Sequence, residues 1–396
     1  IAHVSLVVLA SFASRVAAVG TTVKSIVAAS SHTCAVMDDS SLMCWGSNGS
    51  GKLGVLKLPN TYATSPVGPV DLGSGRTAKA ISAASSHTCA ILDDDTLKCW
   101  GDNQRGQLGY GDTTYREAPE ATAAVNLGSG RTAKAVSTGS SHTCAILDDD
   151  TLKCWGRGSF GQLGYGDTTD RTAPEATAVN LGAGRTAKAL SAGDQHTCAI
   201  LDDDTLKCWG YNIKGQLGDG TTTDINTPTA VNLGSGRTAK ALSLGNKHNC
   251  AILDNDTLKC WGGNSYGQLG YGDTDDRGDA AGEMSDALLA INLGAGRTAK
   301  AVSAGYYHIC AILDDDTVKC WGRGGAGRLG YGDATDRSAP EATAVVNLGA
   351  GRTAKAVSAG NDHNCAILDD DTLKCWGMNS YGRVGVGSSD ELIWDP

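Results

Sequence analysis

The amino-acid sequence predicts an all-β protein, a seven-bladed β-propeller built from four-stranded blades. The phrase "HTCAILDDDTLKCWG" (87–101) occurs seven times with small changes, at steps of 52 to 60 residues. Each repeat carries four short β-prone runs and shows no helical periodicity. The last repeat ends at "SSDELIWDP" without a recognisable fourth run, so we expect its blade to be completed from elsewhere. Consecutive units that cannot bury their own faces are typical of such a closed ring.

The N-terminal segment, residues 1–21, precedes the propeller, which spans residues 22–396. Its stretch "VSLVVLASFASRVAAV" (4–19) has the composition of the missing strand and could close the ring. The same stretch resembles the apolar core of a secretory signal, with "VAA" (16–18) as a small-residue cleavage site. Both interpretations stay open on the sequence.

The strands of one repeat follow from the pattern at 76–128. "TAKAISA" (77–83), "TCAIL" (88–92), "TLKCW" (96–100) and "TAAVNL" (122–127) are predicted strands, in that order. The three aspartates between the second and third runs predict a tight turn, because aspartate favours turns.

Composition and charge exclude several classes of function. The formal net charge is −10, and the basic residues are spread over a recurring "GRTAK" phrase, so we predict no nucleic-acid partner. No stretch reaches the roughly 18 to 20 apolar residues of a membrane span. No repeat carries an unshared polar constellation, so we predict no enzyme, no catalytic residue and no cofactor.

The fourteen cysteines all lie in the repeated phrase, two per repeat and ten positions apart. If Asp93–Asp95 forms the turn, Cys89 faces Cys99 across a hairpin at a spacing that a disulfide can bridge. Even, regular cysteines of this kind predict a disulfide framework and an oxidising home: extracellular, cell-surface or in an organelle lumen. The predicted pairs are Cys34–Cys44, Cys89–Cys99, Cys144–Cys154, Cys198–Cys208, Cys250–Cys260, Cys310–Cys320 and Cys365–Cys375.

Two metal sites are alternatives to this interpretation. His87 shares a strand face with Cys89, so a His-Cys-Cys cluster could bind zinc, although it lacks a fourth ligand. The aspartate turns and the "GDTTDR" loops could bind calcium. We favour disulfides over zinc and ordinary turns over calcium, and therefore predict no metal.

The loops divide between two faces of the propeller. One face receives the aspartate turns and the "GRTAK" connectors, which hardly change between repeats and predict an acidic ring interleaved with arginines: Arg76, Arg131, Arg185, Arg237, Arg297 and Arg352. The other face receives the two residues before each motif histidine and the four after each "WG", which differ from repeat to repeat. Variation confined to one face indicates a partner surface, since drift would have changed both.

Large and basic residues on the changing face are the candidate partner-binding residues, because aromatic and arginine side chains are common interface anchors. The seven tryptophans of "CWG" recur at one fixed position, and we assign them to packing between blades. The candidate residues are Arg105, Arg157, Phe160, Tyr211, Lys214, Tyr266, Tyr306, Tyr307, Arg323, Met378 and Tyr381.

The order of these motifs resembles the regulator of chromosome condensation repeat, as in "GDQHTCAILDDDTLKCWGYNIKGQLGDGTTTDINTP" (193–228). The resemblance covers nearly the whole chain and implies a seven-bladed propeller in which the histidine, tryptophan and glycine positions are structural. The founding nuclear member of that family is a nucleotide-exchange factor for a small GTPase that binds chromatin through basic segments. This sequence shows no basic tail and carries cysteine pairs unsuited to a reducing nucleus, so we expect no nucleotide exchange. Secreted relatives with the cysteine hairpin resemble surface or lumenal proteins, and one is a protein inhibitor of an enzyme.

The sequence thus predicts a non-catalytic protein-binding or scaffold propeller in an oxidising compartment. The alternative is a structural subunit of a larger surface or lumenal assembly, contacted on both faces.

Overall fold

The computed structural model describes residues 22–56, 58, 61–119, 123–389, 392–393 and 396. The two interpretations of segment 1–21, as a closing strand or as a signal remnant, lie outside these residues. Throughout the described chain the structure is β-strand, turn and short 3-10 helix. No helix among the described residues has the length and apolar character needed to span a membrane.

The strands form seven antiparallel sheets, each made from consecutive segments of the chain. We number the sheets, and the repeats that form them, as units 1 to 7. The first strands are Val23–Ala28, Ala78–Ala83, Ala133–Thr138, Ala187–Ala192, Ala239–Leu244, Ala299–Ala304 and Ala354–Ala359. The second strands are His32–Met37, His87–Leu92, His142–Leu147, His196–Leu201, His248–Leu253, His308–Leu313 and His363–Leu368. The third strands are Leu42–Ser47, Leu97–Gly101, Leu152–Gly156, Leu206–Gly210, Leu258–Gly262, Val318–Gly322 and Leu373–Gly377. The 3-10 helices are Gly49–Gly51, Ser285–Ala287, Gly325–Gly327, Pro340–Ala342 and Ser380–Gly382.

The predicted hairpin register is confirmed. Cys89 pairs with Cys99 and Ile91 with Leu97. The turn is tight because Asp95 adopts a positive φ of 62°, a conformation that aspartate tolerates better than most residues. All seven predicted cysteine pairs are disulfide-bonded, each with a sequence separation of 10.

The prediction of a fourth strand in every repeat is only partly correct. Only units 1 and 4 form one among the described residues, at Tyr62–Val67 and Ile225–Ala230. Elsewhere an isolated bridge takes its place, as between Gly101 and Arg116. The predicted strand at 122–127 is absent over its described part, where Val125 N donates one bond to Leu97 O at 2.8 Å.

The last unit also has a fourth segment of its own, against expectation. Ile393 bridges Gly377 as Arg116 bridges Gly101 in unit 2. Ile393 makes this contact although the sequence around it does not resemble the "TAVNLG" runs of earlier units.

The hydrophobic core lies between neighbouring sheets rather than within one. Cys89, Ile91 and Leu97 of unit 2 pack against Leu147 and Trp155 of unit 3 in one cluster. Each motif tryptophan is at most 1% exposed, which confirms its assignment to packing between units.

The seventh sheet has the first as a neighbour. Ile367 and Leu373 share a cluster with Val36 and Leu42. His363 Nε2 also lies 2.7 Å from the hydroxyl of Thr33.

Candidate functional site

The two variable stretches of each unit lie side by side. The backbone N–H of the residue after "WG" donates to the carbonyl of the residue before the histidine, as from Tyr211 to Gln195 at 3.0 Å and from Arg323 to Tyr307 at 2.9 Å. We call the surface made by these two stretches the variable face. The surface of aspartate turns and "GRTAK" connectors is the constant face.

A repeated hydrogen-bond chain, which we call the latch, joins neighbouring units beneath the variable face at most joints. His87 Nε2 lies 2.8 Å from Thr143 Oγ1 of the next unit, and that hydroxyl donates to Gln107 O at 2.9 Å. Trp155 Nε1 donates to the same carbonyl at 3.0 Å. Because the threonine proton is committed to the carbonyl, His87 must donate, so its proton resides on Nε2.

The latch varies at four joints. Asparagine replaces threonine opposite His196 and His308, with Oδ1 accepting at 2.6 and 2.8 Å. Opposite His248 stands Ile309, and His248 Nε2 has no hydrogen-bond partner among the described residues. At the joint of units 7 and 1 the threonine link is intact, whereas Trp45 Nε1 has no partner in the same part of the chain.

The latch histidines are neutral structural groups. Burial lowers the pKa of His87 and His142 to about 3 and that of His196 to about 4. A neutral imidazole already bonded through Nε2 is a poor proton donor near neutral pH. The structural role that the family resemblance implied for these residues is confirmed.

A cavity of about 120 Å³ opens on the variable face, where the ends of all seven first strands meet. The second residue before each histidine lines it, and we call these seven residues the rim: Ser30, Ser85, Ser140, Asp194, Asn246, Tyr306 and Asn361. The rim is therefore small and hydroxylic in units 1 to 3, and larger or charged in units 4 to 7.

Four candidate residues of units 3 to 6 are brought together in two aromatic pairs beside this cavity. The rings of Phe160 and Tyr211 lie 4.7 Å apart, centre to centre, with Arg157 stacked 4.9 Å over Phe160. Lys247 Nζ lies 5.7 Å from the centre of the Tyr211 ring.

The second pair spans the joint of units 5 and 6. The rings of Tyr266 and Tyr307 are 5.0 Å apart, and Tyr306 meets Tyr307 edge-on at 4.6 Å. Arg323 lies 5.0 Å over Tyr266 and 5.8 Å over Tyr307. We call the two groups together the aromatic arc: Arg157, Phe160, Tyr211, Lys247, Tyr266, Tyr306, Tyr307 and Arg323.

Asp194 is the rim carboxylate that lies among these groups. Burial raises its pKa, while a hydrogen bond with Ser140 and the charges of Lys247 and Arg157 act in the opposite direction. Burial, followed by the charge of Asp194, raises the pKa of Tyr306 to about 12. The arc thus combines aromatic faces and cations, and one partly desolvated acid of the rim lies beside it.

The remaining candidates lie outside the arc. Arg105 forms an exposed ion pair with Asp170 at 3.3 Å, and Lys214 pairs with Asp276 at 2.8 Å.

On the far side of the same face, Tyr381 meets Tyr62 edge-on at 6.2 Å between units 7 and 1. Met378 is half-buried, and its backbone N–H donates to Asp362 O at 2.8 Å.

Sequence reasoning missed Lys247, Asp194 and Ile213, which are all on the variable face. The pairs "DQ" and "NK" before the histidines carried the first two residues and could have identified them. Ile213 is 50% exposed between Tyr211 and Lys214 in the sequence, and it was missed because aliphatic residues were not considered as candidates.

The arginines of the constant face interleave with the aspartate turns, as predicted, and pair with their carboxylates. Arg131 contacts Asp148 and Asp149 at 3.0 and 2.7 Å, and Lys134 contacts Asp150 at 2.7 Å. Equivalent contacts of an arginine and a lysine with the aspartate turn recur in units 2 to 7.

The side chains behind the two metal alternatives are engaged elsewhere. The sulfurs of Cys89 and Cys99 are bonded to each other, and His87 faces Thr143. In the "GDTTDR" loops Asp167 binds Arg171 at 2.9 Å. These contacts favour the disulfide and turn interpretations over zinc and calcium.

Comparison with known proteins finds family models that match the repeats of this chain. The model of the RCC1-like domain matches residues 8–299, and models of the regulator of chromosome condensation (RCC1) repeat match 299–328, 354–383 and 315–367. The ultraviolet-B receptor UVR8 of Arabidopsis thaliana is 30% identical over 310 residues, 78% of this chain and 67% of that protein. The human E3 ubiquitin-protein ligase HERC2 is 24% identical over 72% of this chain, which spans only 6% of that protein.

Solved structures share the fold. The crystal structure of Prp20p from Saccharomyces cerevisiae superposes with a TM-score of 0.74 at 19% identity, covering 88% of this chain and 83% of that one. At this identity the likeness shows the architecture alone.

Proposed function

We propose that this chain, which belongs to the RCC1 repeat family, is a non-catalytic protein-binding or scaffold propeller that holds its partner on the variable face. It works in an oxidising compartment, which is extracellular, at the cell surface or in an organelle lumen.

The scaffold is a closed ring of seven blades. Support comes from the joint of units 7 and 1, where Val23 N donates to Asp371 O at 3.4 Å and Thr33 Oγ1 donates to Arg383 O at 2.8 Å. Corresponding bonds join other neighbouring units, for example Ala133 N to Asp95 O at 2.9 Å.

The aromatic arc is the observation that carries the binding proposal. Aromatic and arginine side chains are the anchors that most often dominate protein interfaces, since they bury large areas at low entropic cost. Their stacking on one another holds each side chain in place before a partner arrives, which lowers the cost of binding. The constant face carries mutually neutralised pairs and no comparable cluster among the described residues.

A non-catalytic role agrees with the state of the titratable groups. The motif histidines are buried and neutral, all except His248 are hydrogen-bonded through Nε2, and the fourteen cysteines are paired in disulfides. The variable face carries both acids and cations rather than a basic surface, so neither nucleic-acid binding nor nucleotide exchange is part of the proposal.

A photo-crosslinking amino acid at Ile213 tests the binding face. Ile213 is 50% exposed on the variable face, two residues after Tyr211 of the arc, and Lys134 on the constant face, with a 48% exposed side chain, is the matched control. We expect a protein adduct from the native compartment at position 213 and none at 134. The adduct should be lost when Arg157 and Arg323 are both changed to alanine.

The same experiment decides between the proposal and a structural subunit. Adducts at both positions would favour an assembly that covers both faces. Adducts at position 134 alone would overturn the proposal.

Intact mass tests the compartment. The native protein should gain fourteen hydrogens on reduction, since its fourteen cysteines form seven bonds. Free thiols in protein taken from its native source would contradict the oxidising compartment.

A further inference from the structure

One position of the repeat, just after the variable stretch that follows "WG", carries a neutral residue in some units and a cation in others. The glutamine of "GQLG" in units 2 to 5 is replaced by a cation in three consecutive units: Lys52 in unit 1, Arg328 in unit 6 and Arg383 in unit 7. All three are buried, with 7%, 2% and 5% exposure.

Glutamine serves this position with neutral hydrogen bonds. Gln107 Oε1 accepts from Arg105 N and Gln162 Oε1 from Phe160 N, both at 2.9 Å. Folding of the loop therefore does not require a charge at this position, and the three cations need another explanation.

Each cation reaches across its joint to the rim. Lys52 Nζ donates to Ser85 O at 3.3 Å, Arg328 Nη1 to Asn361 O at 3.2 Å, and Arg383 Nη1 to Ser30 O at 2.8 Å. Three positive charges thus lie directly behind adjacent rim residues of units 7, 1 and 2.

The positive charge there is only partly neutralised. Asp362 lies between the two arginines, 2.7 Å from Arg328 Nη1 and 3.8 Å from Arg383 Nη1. Lys52 Nζ donates to the neutral hydroxyl of Ser31 at 2.7 Å, and it has no ion-pair partner among the described residues.

Buried cations without counterions are costly. Burial, and then the charge of Arg383, lowers the pKa of Lys52 to about 8.

Lys52 and Arg383 flank a single peptide unit. Lys52 bonds to Ser31 and Arg383 to the carbonyl of Ser30, whose hydroxyl also accepts from Asn361 Nδ2 at 2.8 Å. Serine hydroxyls next to two cations form a surface suited to a small anion.

We propose that Lys52 and Arg383, with the hydroxyls of Ser30, Ser31 and Ser85, form a carboxylate-binding site on this side of the rim. Asp362 shows which ligand chemistry suits the neighbouring gap, because it is a carboxylate held between Arg328 and Arg383. A second carboxylate between Arg383 and Lys52 would repeat that arrangement. It belongs either to a free organic acid or to an acidic side chain of a bound protein.

This site uses units 7, 1 and 2, whereas the aromatic arc uses units 3 to 6. Experiments can therefore disprove the carboxylate site without disproving the partner surface, and the reverse also holds.

Calorimetric titration with citrate and with a hexaglutamate peptide tests the proposal at low salt. We expect at least one probe to bind the parent protein, and the double variant K52Q/R383Q to bind at least tenfold more weakly. Glutamine occupies the same position in four units, so this variant retains a residue type that the loop accepts. The variant Lys134→Gln removes one positive charge from the constant face and should bind as the parent does.

The two probes separate the two sources of carboxylate. Binding of citrate assigns the site to free acids, and binding of the peptide alone assigns it to acidic side chains of a protein. Equal binding by parent and double variant, or binding of neither probe by the parent, overturns the proposal.

A second measurement needs no variant. Acetylation of Lys52 by acetic anhydride at pH 8, followed by peptide mass mapping, should slow at least threefold when the bound probe is present. Labelling of Lys134 is the internal control. Unchanged labelling of Lys52 under saturating probe would also overturn the proposal.

Discussion

The joint between units 2 and 3 and the joint between units 5 and 6 have the same strand pairing, and they differ in the buried side chain that faces the motif histidine. At the first, Thr143 links His87 to Gln107; at the second, Ile309 leaves His248 without that link. Both joints keep the tryptophan bond, with Trp321 Nε1 donating to Gln268 O at 3.0 Å.

The exposed surfaces above these two joints also differ, and the joint without the buried link has the more extensive surface contact. Over joint 2–3 lies an exposed ion pair between Arg105 and Asp170. Over joint 5–6 lie Tyr266 and Tyr307 in ring contact, bridged by Arg323. The comparison teaches that the fold tolerates loss of one buried polar link at the joint where the variable face adds the most aromatic contact.

Acid should produce the largest effect, because it acts on the histidine of every joint. Burial lowers the histidine pKa values, to about 3 for His87 and His248, from 6.5 in the unfolded chain. The unfolded state therefore takes up protons first, and stability is constant above pH 6.5 and falls below it by about 1.4 kcal/mol per pH unit per histidine.

Over seven histidines, lowering the pH from 7.5 to 5.5 should cost on the order of 5 to 10 kcal/mol. Denaturant unfolding at both pH values measures it. Surface carboxylates such as Asp93, whose pKa is lowered from 3.8, contribute only below that range. A flat stability profile between pH 7.5 and 5.5 would show that the histidines are not buried as neutral groups.

Thr143→Val should have the next largest effect, since it converts joint 2–3 into the chemistry of joint 5–6. The valine keeps the volume but leaves His87 Nε2–H and one bond to Gln107 O unsatisfied. We expect a loss of about 1 to 3 kcal/mol in the free energy of unfolding. Thr151→Val, which removes an exposed hydrogen bond to Asp149, is the control for replacing threonine by valine. Equal losses of stability at both positions would show that the buried latch contributes nothing specific.

Ile309→Thr should have the smallest effect. The new hydroxyl can link His248 to Gln268 O, but the loss of buried aliphatic surface offsets this gain, leaving a net change within about 1 kcal/mol. Nitrogen NMR of the His248 ring should nevertheless show a new hydrogen bond at Nε2. An unchanged ring signal would contradict the proposed equivalence of the joints.

The elements of the fold that repeat could be predicted from the sequence. The position of the aspartate turn predicted that Cys89 pairs with Cys99. Side chains alternate with a period of two along a strand, so the turn fixes every cross-strand pair of the hairpin. The fourth strand could not be predicted reliably, since most units meet the third strand through one bridge rather than a ladder. The short bridge at Ile393 has no repeated motif to reveal it.

The sequence predicted which residue types belong to the candidate site more readily than which of these residues contact one another. Phe160 and Tyr211 were selected as large residues, yet their contact depends on the packing of units 3 and 4. Lys52 and Arg383 stood in the sequence as departures from "GQLG", but only the structure shows their charges behind adjacent rim serines. Burial of a charge is a property of the assembled joint, and no periodicity within one unit reports it.

The disulfides also bear on how the chain matures. Fourteen cysteines allow a very large number of pairings, but each native bond joins residues ten apart on one hairpin. Closing a loop of this length is entropically cheap compared with joining distant units. Each hairpin can therefore be oxidised as it emerges during synthesis, before the next unit exists to compete for its thiols.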